Sequence, residues 1–245
     1  MLVLSLPVFI PNLVQAADRQ QLVYEVYAGG IHAVQAKMDI DMRGADTYRL
    51  IMQASTRGFL ENMVPWKGTF ESYGWKLNGD QLQTEKHITT GHWRDERDIK
   101  QYIYNKDGSF KSLRISDEHS DAKLQDVDAS LTDGTTDVLS ATLQVLQNYN
   151  KGGTCSGTSE VFDGKRRFKQ IFTHQNSVVL KRSKYNIYDG AAAECTVEVV
   201  PMNGAWHKKP RGWLSIQEQG REKGTMPTVW IAQMSENGPA IPVKI

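Results

Sequence analysis

The sequence predicts a mainly β protein: a strongly curved antiparallel sheet or open barrel of roughly a dozen strands, with one amphipathic helix packed in the concave side. Three observations carry this. After residue 18, apolar and polar residues alternate with a period of two along most of the chain. Runs of Asn, Asp and Gly fall between the alternating segments. One segment, residues 136–149, changes to helical spacing. A sheet of that size curls rather than staying flat. A helix in its hollow can leave a cavity suited to apolar ligands.

The chain opens with an apolar run, Met1 to Ala16, and carries no charge before Asp18. The run is shorter than the roughly 20 residues needed to cross a bilayer, and Pro7 and Pro11 weaken it as a spanning helix. Val14-Gln15-Ala16 is a small-residue cleavage pattern, so residues 1–16 read as a signal peptide and 17–245 as one β-rich periplasmic domain. The missing basic residue at the start points to a true start codon upstream. No cysteine follows the cleavage site, so no lipid anchor is expected there.

Strands follow in order. Leu22–Ala28 turns at Gly29-Gly30 into His32–Met42, whose apolar face is Val34, Ala36, Met38, Ile40 and Met42. Asp46–Ser55 repeats the pattern with Tyr48, Leu50, Met52 and Ala54. Gly68–Leu77, Gln81–Thr89, Asp98–Asn105 and Phe110–Asp117 come next, with turn chemistry at Asn78-Gly79-Asp80 and Asn105-Lys106-Asp107-Gly108. A short helical turn is expected over Phe59–Val64, stopped by Pro65. In the long helix, Val138, Leu139, Thr142, Val145, Leu146 and Tyr149 form the stripe; Thr136 is the expected N-cap, with Asp137 at the positive helix end. Arg166–His174, Val178–Tyr188, Glu194–Met202, Gly212–Glu218, Thr228–Met234 and Ile241–Ile245 complete the strands. No linker or change of composition divides the chain.

Forty per cent apolar and 23% charged residues over 245 positions are globular proportions. A net charge of +1 argues against a dedicated nucleic-acid binder. A mean hydropathy of -0.48 excludes a polytopic membrane protein, and no transmembrane anchor is expected. In an exported chain the only two cysteines, Cys155 and Cys195, are expected to pair. The closure of about 40 residues is worth on the order of 3–4 kcal/mol. The competing reading makes Cys155 a nucleophile served by a base such as His174.

Several segments together resemble a known family. They are Tyr24-Glu-Val-Tyr-Ala-Gly-Gly30, Tyr48-Arg-Leu, Thr56-Arg57-Gly58-Phe59, Pro65 to Gly74, Thr135 to Ser140, Phe162 to Phe168 and the closing Ile241 to Ile245. In that order the chain resembles domain of unknown function 3108, exported proteins of Gram-negative bacteria. The resemblance implies a fold similar to the periplasmic lipoprotein carriers, a curved antiparallel sheet with helices in its concavity. It brings no reaction and no catalytic residues.

The candidate ligand-binding residues are Arg57, Trp66, Asp163, Arg166 and Arg167. Trp66 is the expected pocket rim. The arginines belong to a basic region, 12 Lys+Arg against 6 Asp+Glu between Val161 and Thr225, suited to anionic envelope groups or simply to solvated strand faces. Asp163 beside Arg166 and Arg167 also suits a structural ion pair at a turn. His87 and His92 are the only close histidine pair; HxH, HExxH and CxxC are absent, and no metal or cofactor is expected. Walker A, GxGxxG and GxSxG motifs are absent too.

The sequence thus points to a non-enzymatic periplasmic cell-envelope protein, with an apolar or amphiphilic ligand or an envelope protein on its concave face. The alternatives are a hydrolase of cell-wall or lipid substrates, and a scaffold without small ligand. A convergent Ser/His/acid set or carboxylate pair would favour the hydrolase.

Overall fold

The computed structural model describes residues 19–28, 30–78, 81–234 and 238–245. The expected signal peptide, residues 1–16, and parts of two expected turns, Gly29 and residues 79–80, lie outside them.

The strands form two antiparallel meanders. β1 (Arg19–Ala28), β2 (Ile31–Asp41), β3 (Thr47–Thr56), β4 (Trp66–Lys76), β5 (Leu82–Trp93), β6 (Glu96–Tyr104), β7 (Phe110–Asp117) and β8 (Ser120–Gln125) pair in chain order as an eight-stranded sheet. β9 (Gly157–Phe162), β10 (Arg166–Leu180), β11 (Gly190–Gly204), β12 (Thr228–Gln233) and β13 (Ala240–Lys244) form the second, five-stranded sheet. Helix α1 (Phe59–Met63) follows β3; α2 (Ala129–Thr132) and α3 (Val138–Asn150) join the two sheets; α4 (Trp213–Glu222) follows β11. The dozen or so strands expected in one curved sheet or open barrel are thus divided between two antiparallel sheets, and, as expected, these do not close.

Helix α3 sits between the sheets because its apolar side chains reach both. Leu139, Leu143, Val145 and Leu146 join Ile40 and Leu50 of the first sheet and Phe172, Val197 and Ile231 of the second in one core. Burying each such side chain is worth about 1.5–3 kcal/mol. Polar bonds fix the position. The Gln144 side-chain oxygen accepts from the Leu82 N–H at 2.7 Å, and Asn150 Oδ1 accepts from the Ala240 N–H at 2.5 Å. Two tyrosines tie the sheets: Tyr24 donates to the Pro242 carbonyl and Tyr102 to the Asp163 carbonyl.

Three local expectations are corrected. Asp137, not Thr136, is the N-cap of α3; its carboxylate accepts from the Leu139 and Ser140 N–H groups. Gly212–Glu218 is not a strand, because the segment starts α4. Its N-cap, Gly212, offers no side-chain bond, so the usual start signal is missing from the sequence. A buried Gln217 docks α4, its amide bonding both the N–H and the carbonyl of Val199. Val178–Tyr188 is not a separate strand: β10 runs through a bulge near Gln175 to Leu180, and Asn186 staples the following loop through Lys181 and Tyr188. β8 and β9 escaped the sequence reading because six residues of weak alternation give little signal.

Candidate functional site

Cross-strand register arranges the concave face of the first sheet into rows. The first contains Ile40, Leu50, Ser72, His87 and Tyr102, all buried. The second pairs Leu22 with Met38, Met38 with Met52, and Met52 with Phe70. These four are only half-buried and pack at the margin of the core. The third row pairs Tyr24, Ala36, Ala54, Gly68 and Gly91. The small side chains of Ala36 and Ala54 beside the larger second row make a shallow trough, which Trp66 and Phe70 close over Gly68. Its rim is an aromatic pair: a Cβ on Gly68 would lie 2.6 Å from the Trp66 ring and 3.0 Å from the Phe70 ring, so both fold over that glycine. Methionines suit such a wall, being flexible and polarizable.

Two clefts open at the ends of this sheet. One, about 390 Å³, is lined by Thr56, Glu61, Pro65, Trp66, Lys67, His92 and Arg94. The other, about 560 Å³ and more open, is polar, with Asp41, Arg43, Arg49, Tyr73 and Glu85. Trp66 stands where the trough meets the first cleft.

The other expected site residues are not gathered there. Arg57 is near Trp66, since Thr56 Oγ1 bonds the Trp66 backbone, and its guanidinium donates to Gln35. Asp163, Arg166 and Arg167 form the β9–β10 turn instead. Asp163 Oδ1 accepts from the Lys165 and Arg166 N–H groups, and its Oδ2 from the Arg166 side chain. Gly164, at φ 90°, makes the turn; a Cβ there would also meet the Tyr102 hydroxyl at 2.7 Å. The Arg166 guanidinium lies 4.8 Å from the Trp206 ring, while Arg167 pairs with Glu160 and donates to the Ser130 carbonyl.

A buried polar cluster that no linear motif revealed lies in the first row, at the N-terminus of α3. Ser72 Oγ donates to Asp137 Oδ1 at 2.6 Å and stands 2.7 Å from His87 Nδ1. His87 Nδ1 is also 3.2 Å from Asp137 Oδ1. Thr84 and Ser140 donate to Oδ2, and Tyr48 donates to Ser140. Burial pushes the Asp137 carboxyl up, but His87 and these hydroxyls outweigh it and hold it well below the usual carboxylate range. Burial also raises the Tyr48 hydroxyl.

The composition is Ser/His/Asp, yet the order is not that of a triad. A triad places the acid on one ring nitrogen and the nucleophile on the other. Here Ser72 and Asp137 both meet Nδ1, and Ser72 is 0% exposed. The cluster instead anchors the α3 N-terminus to β4 and β5. Placing it in advance would have required the strand register, which pairs Ser72 with His87. His87 and His92 part company: His87 is buried, His92 exposed.

Cys155 and Cys195 form a disulfide, with Cα atoms 6.2 Å apart. His174 Nδ1 stands 3.3 Å from Cys155 Sγ, but the bridged sulfur is no thiol nucleophile.

Comparison with known proteins places these features in context. The family model described as Protein of unknown function (DUF3108) matches residues 23–245. No curated protein matches the chain. Among solved structures, the chain is similar to a beta-barrel-like protein of domain of unknown function DUF1849 from Brucella abortus. The two share 9% identity, with 93% of this chain and 97% of that one covered and a TM-score of 0.44.

Proposed function

We propose that this chain, which belongs to the DUF3108 family, is an exported, non-enzymatic cell-envelope protein that holds an apolar or amphiphilic ligand in its concave face. The observation that carries the reading is the half-buried row Leu22, Met38, Met52 and Phe70 beside the small pair Ala36 and Ala54, with Trp66 at the rim. An apolar chain laid along the trough gains about 25 cal/mol for each Å² of apolar surface removed from water. Trp66 and the adjoining cleft, with Lys67, Arg94 and Glu61, give a polar head group a place at one end. The disulfide is in keeping with an oxidising compartment, and no helix among the described residues is long and apolar enough to cross a membrane.

The test is titration of the purified protein with the apolar fluorophore N-phenyl-1-naphthylamine. Saturable binding is expected in wild type. Ala54→Phe fills the trough and should weaken it about tenfold or more, with little effect on stability at a half-buried position. Equal binding by both proteins, or none by wild type, overturns the reading.

A further inference from the structure

The two ends of the sheets differ in chemistry. At one end the tight turns carry Arg43, Asp46, Asn105, Asp107, Asp163 and Lys165, and the exposed apolar side chains Trp213 and Ile216 both come from one element, α4. The opposite end collects exposed apolar side chains from three separate elements: Tyr27 and Ile31 flank the β1–β2 connection, Phe59 and Met63 belong to α1, and Tyr185 and Ile187 belong to the β10–β11 loop. Phe59 is 67% exposed and Ile187 86%.

These side chains sit on a fixed platform. The Tyr27 and Tyr185 rings lie 5.1 Å apart, which joins the first sheet's hairpin to the second sheet's loop. Asn186 holds that loop from beneath through the Lys181 and Tyr188 carbonyls. The Arg57 N–H donates to the Ala33 carbonyl, which sets the start of α1 against β2. None of the five residues of α1 is buried, and Phe59 and Met63 are one helical turn apart on one face.

Single exposed apolar residues are ordinary on any protein surface. Six from three separate elements converging on one end call for an apolar medium there. The adjacent charge indicates which: the β10–β11 loop carries exposed Lys181, Arg182 and Lys184, of which Lys181 pairs with Asp189, so Arg182 and Lys184 outweigh the single Glu61 of α1. Apolar tips flanked by lysine and arginine are the chemistry that seats a protein in the interface of an anionic bilayer. We infer that this end docks on an anionic phospholipid surface, with α1 and the β10–β11 loop as its two feet. The inference stands whether or not the trough holds a ligand.

Co-sedimentation with vesicles of phosphatidylglycerol and phosphatidylethanolamine, against vesicles of phosphatidylcholine, tests it. Wild type is expected to pellet with the anionic vesicles and less with the neutral ones. The double variants Phe59→Ser/Met63→Ser and Lys181→Glu/Lys184→Glu should each lower the partition at least about tenfold, with melting temperatures near wild type. Ile187→Ser provides the same reading at a side chain with almost no packing to lose, should a double variant fail to fold. No association of wild type, or variants that bind as wild type does, would overturn the inference. So would vesicle-independent dimerisation abolished by the same variants, which would assign this end to a second copy of the chain.

Discussion

The carboxylate of Asp137 accepts from strands β4 and β5 and from the helix it caps, through Ser72, Thr84, Ser140 and the Leu139 and Ser140 N–H groups. Removing it leaves these donors buried without their acceptor. Asp137→Ala should therefore cost about 3–5 kcal/mol, read as a shift in the denaturant midpoint. The same residue shapes the acid limb. Its folded carboxyl lies below its unfolded value of about 3.9, so it contributes stability that is present above about pH 4 and lost as the pH falls further. Melting temperature should drop below pH 4 in wild type and drop less in Asp137→Asn; parallel curves would show that this carboxyl does not drive the loss. The disulfide makes the second residue-scale case. Cys195→Ser opens a closure of 40 residues and should cost about 2–5 kcal/mol, with fluorophore binding retained. Two free thiols in the native, unreduced protein would contradict the pairing. Cysteine count, with the expectation of an oxidising compartment, made this bridge legible. Ser72 and His87 were not legible together, because no linear spacing reports a cross-strand pair.

At the scale of elements, the sequence marked α3 clearly and α4 not at all. The α3 stripe recurs at three and four residues, and Asp137 caps it, one position beyond the expected Thr136. α4 lacks a capping side chain and buries only Gln217, so its short apolar spacing passes equally well for a strand. The alternating strands from β1 to β7 were readable because each has one buried face and one wet face. Strand β10 was read as two, since its bulge near Gln175 interrupts the alternation. The weight that α3 carries is measurable. Leu143 is fully buried between the two sheets, and Leu143→Ala should destabilise the fold by about 2–5 kcal/mol. A loss below about 1 kcal/mol in chemical denaturation would mean that the helix is not the shared core of both sheets.

At the scale of the molecule, two meanders facing a single long helix leave one sheet with concave surface to spare. Across β2 to β4 the buried first row gives way to the half-buried second and the small third, which the bond from Tyr24 of β1 to Pro242 of β13 bounds at one side. The alternation in the sequence disclosed that Met38 and Met52 face inward; only the register aligns them with Leu22 and Phe70, and only the pairing of Ala36 with Ala54 sets small side chains beside them. Trp66 could be suspected as a rim from its loop-like neighbours, though it proves to be the first residue of β4. Asp163, Arg166 and Arg167 already bond with one another's turn, with Glu160 and with Trp206. The most direct test of a ligand in the trough is native mass spectrometry of the protein isolated, without detergent, from its own cells. Wild type is expected to carry a stoichiometric apolar or amphiphilic adduct, and Ala54→Phe, prepared identically and equally stable, to carry none. A bare wild-type mass in repeated preparations, or an adduct of equal occupancy on Ala54→Phe, would contradict the binding role.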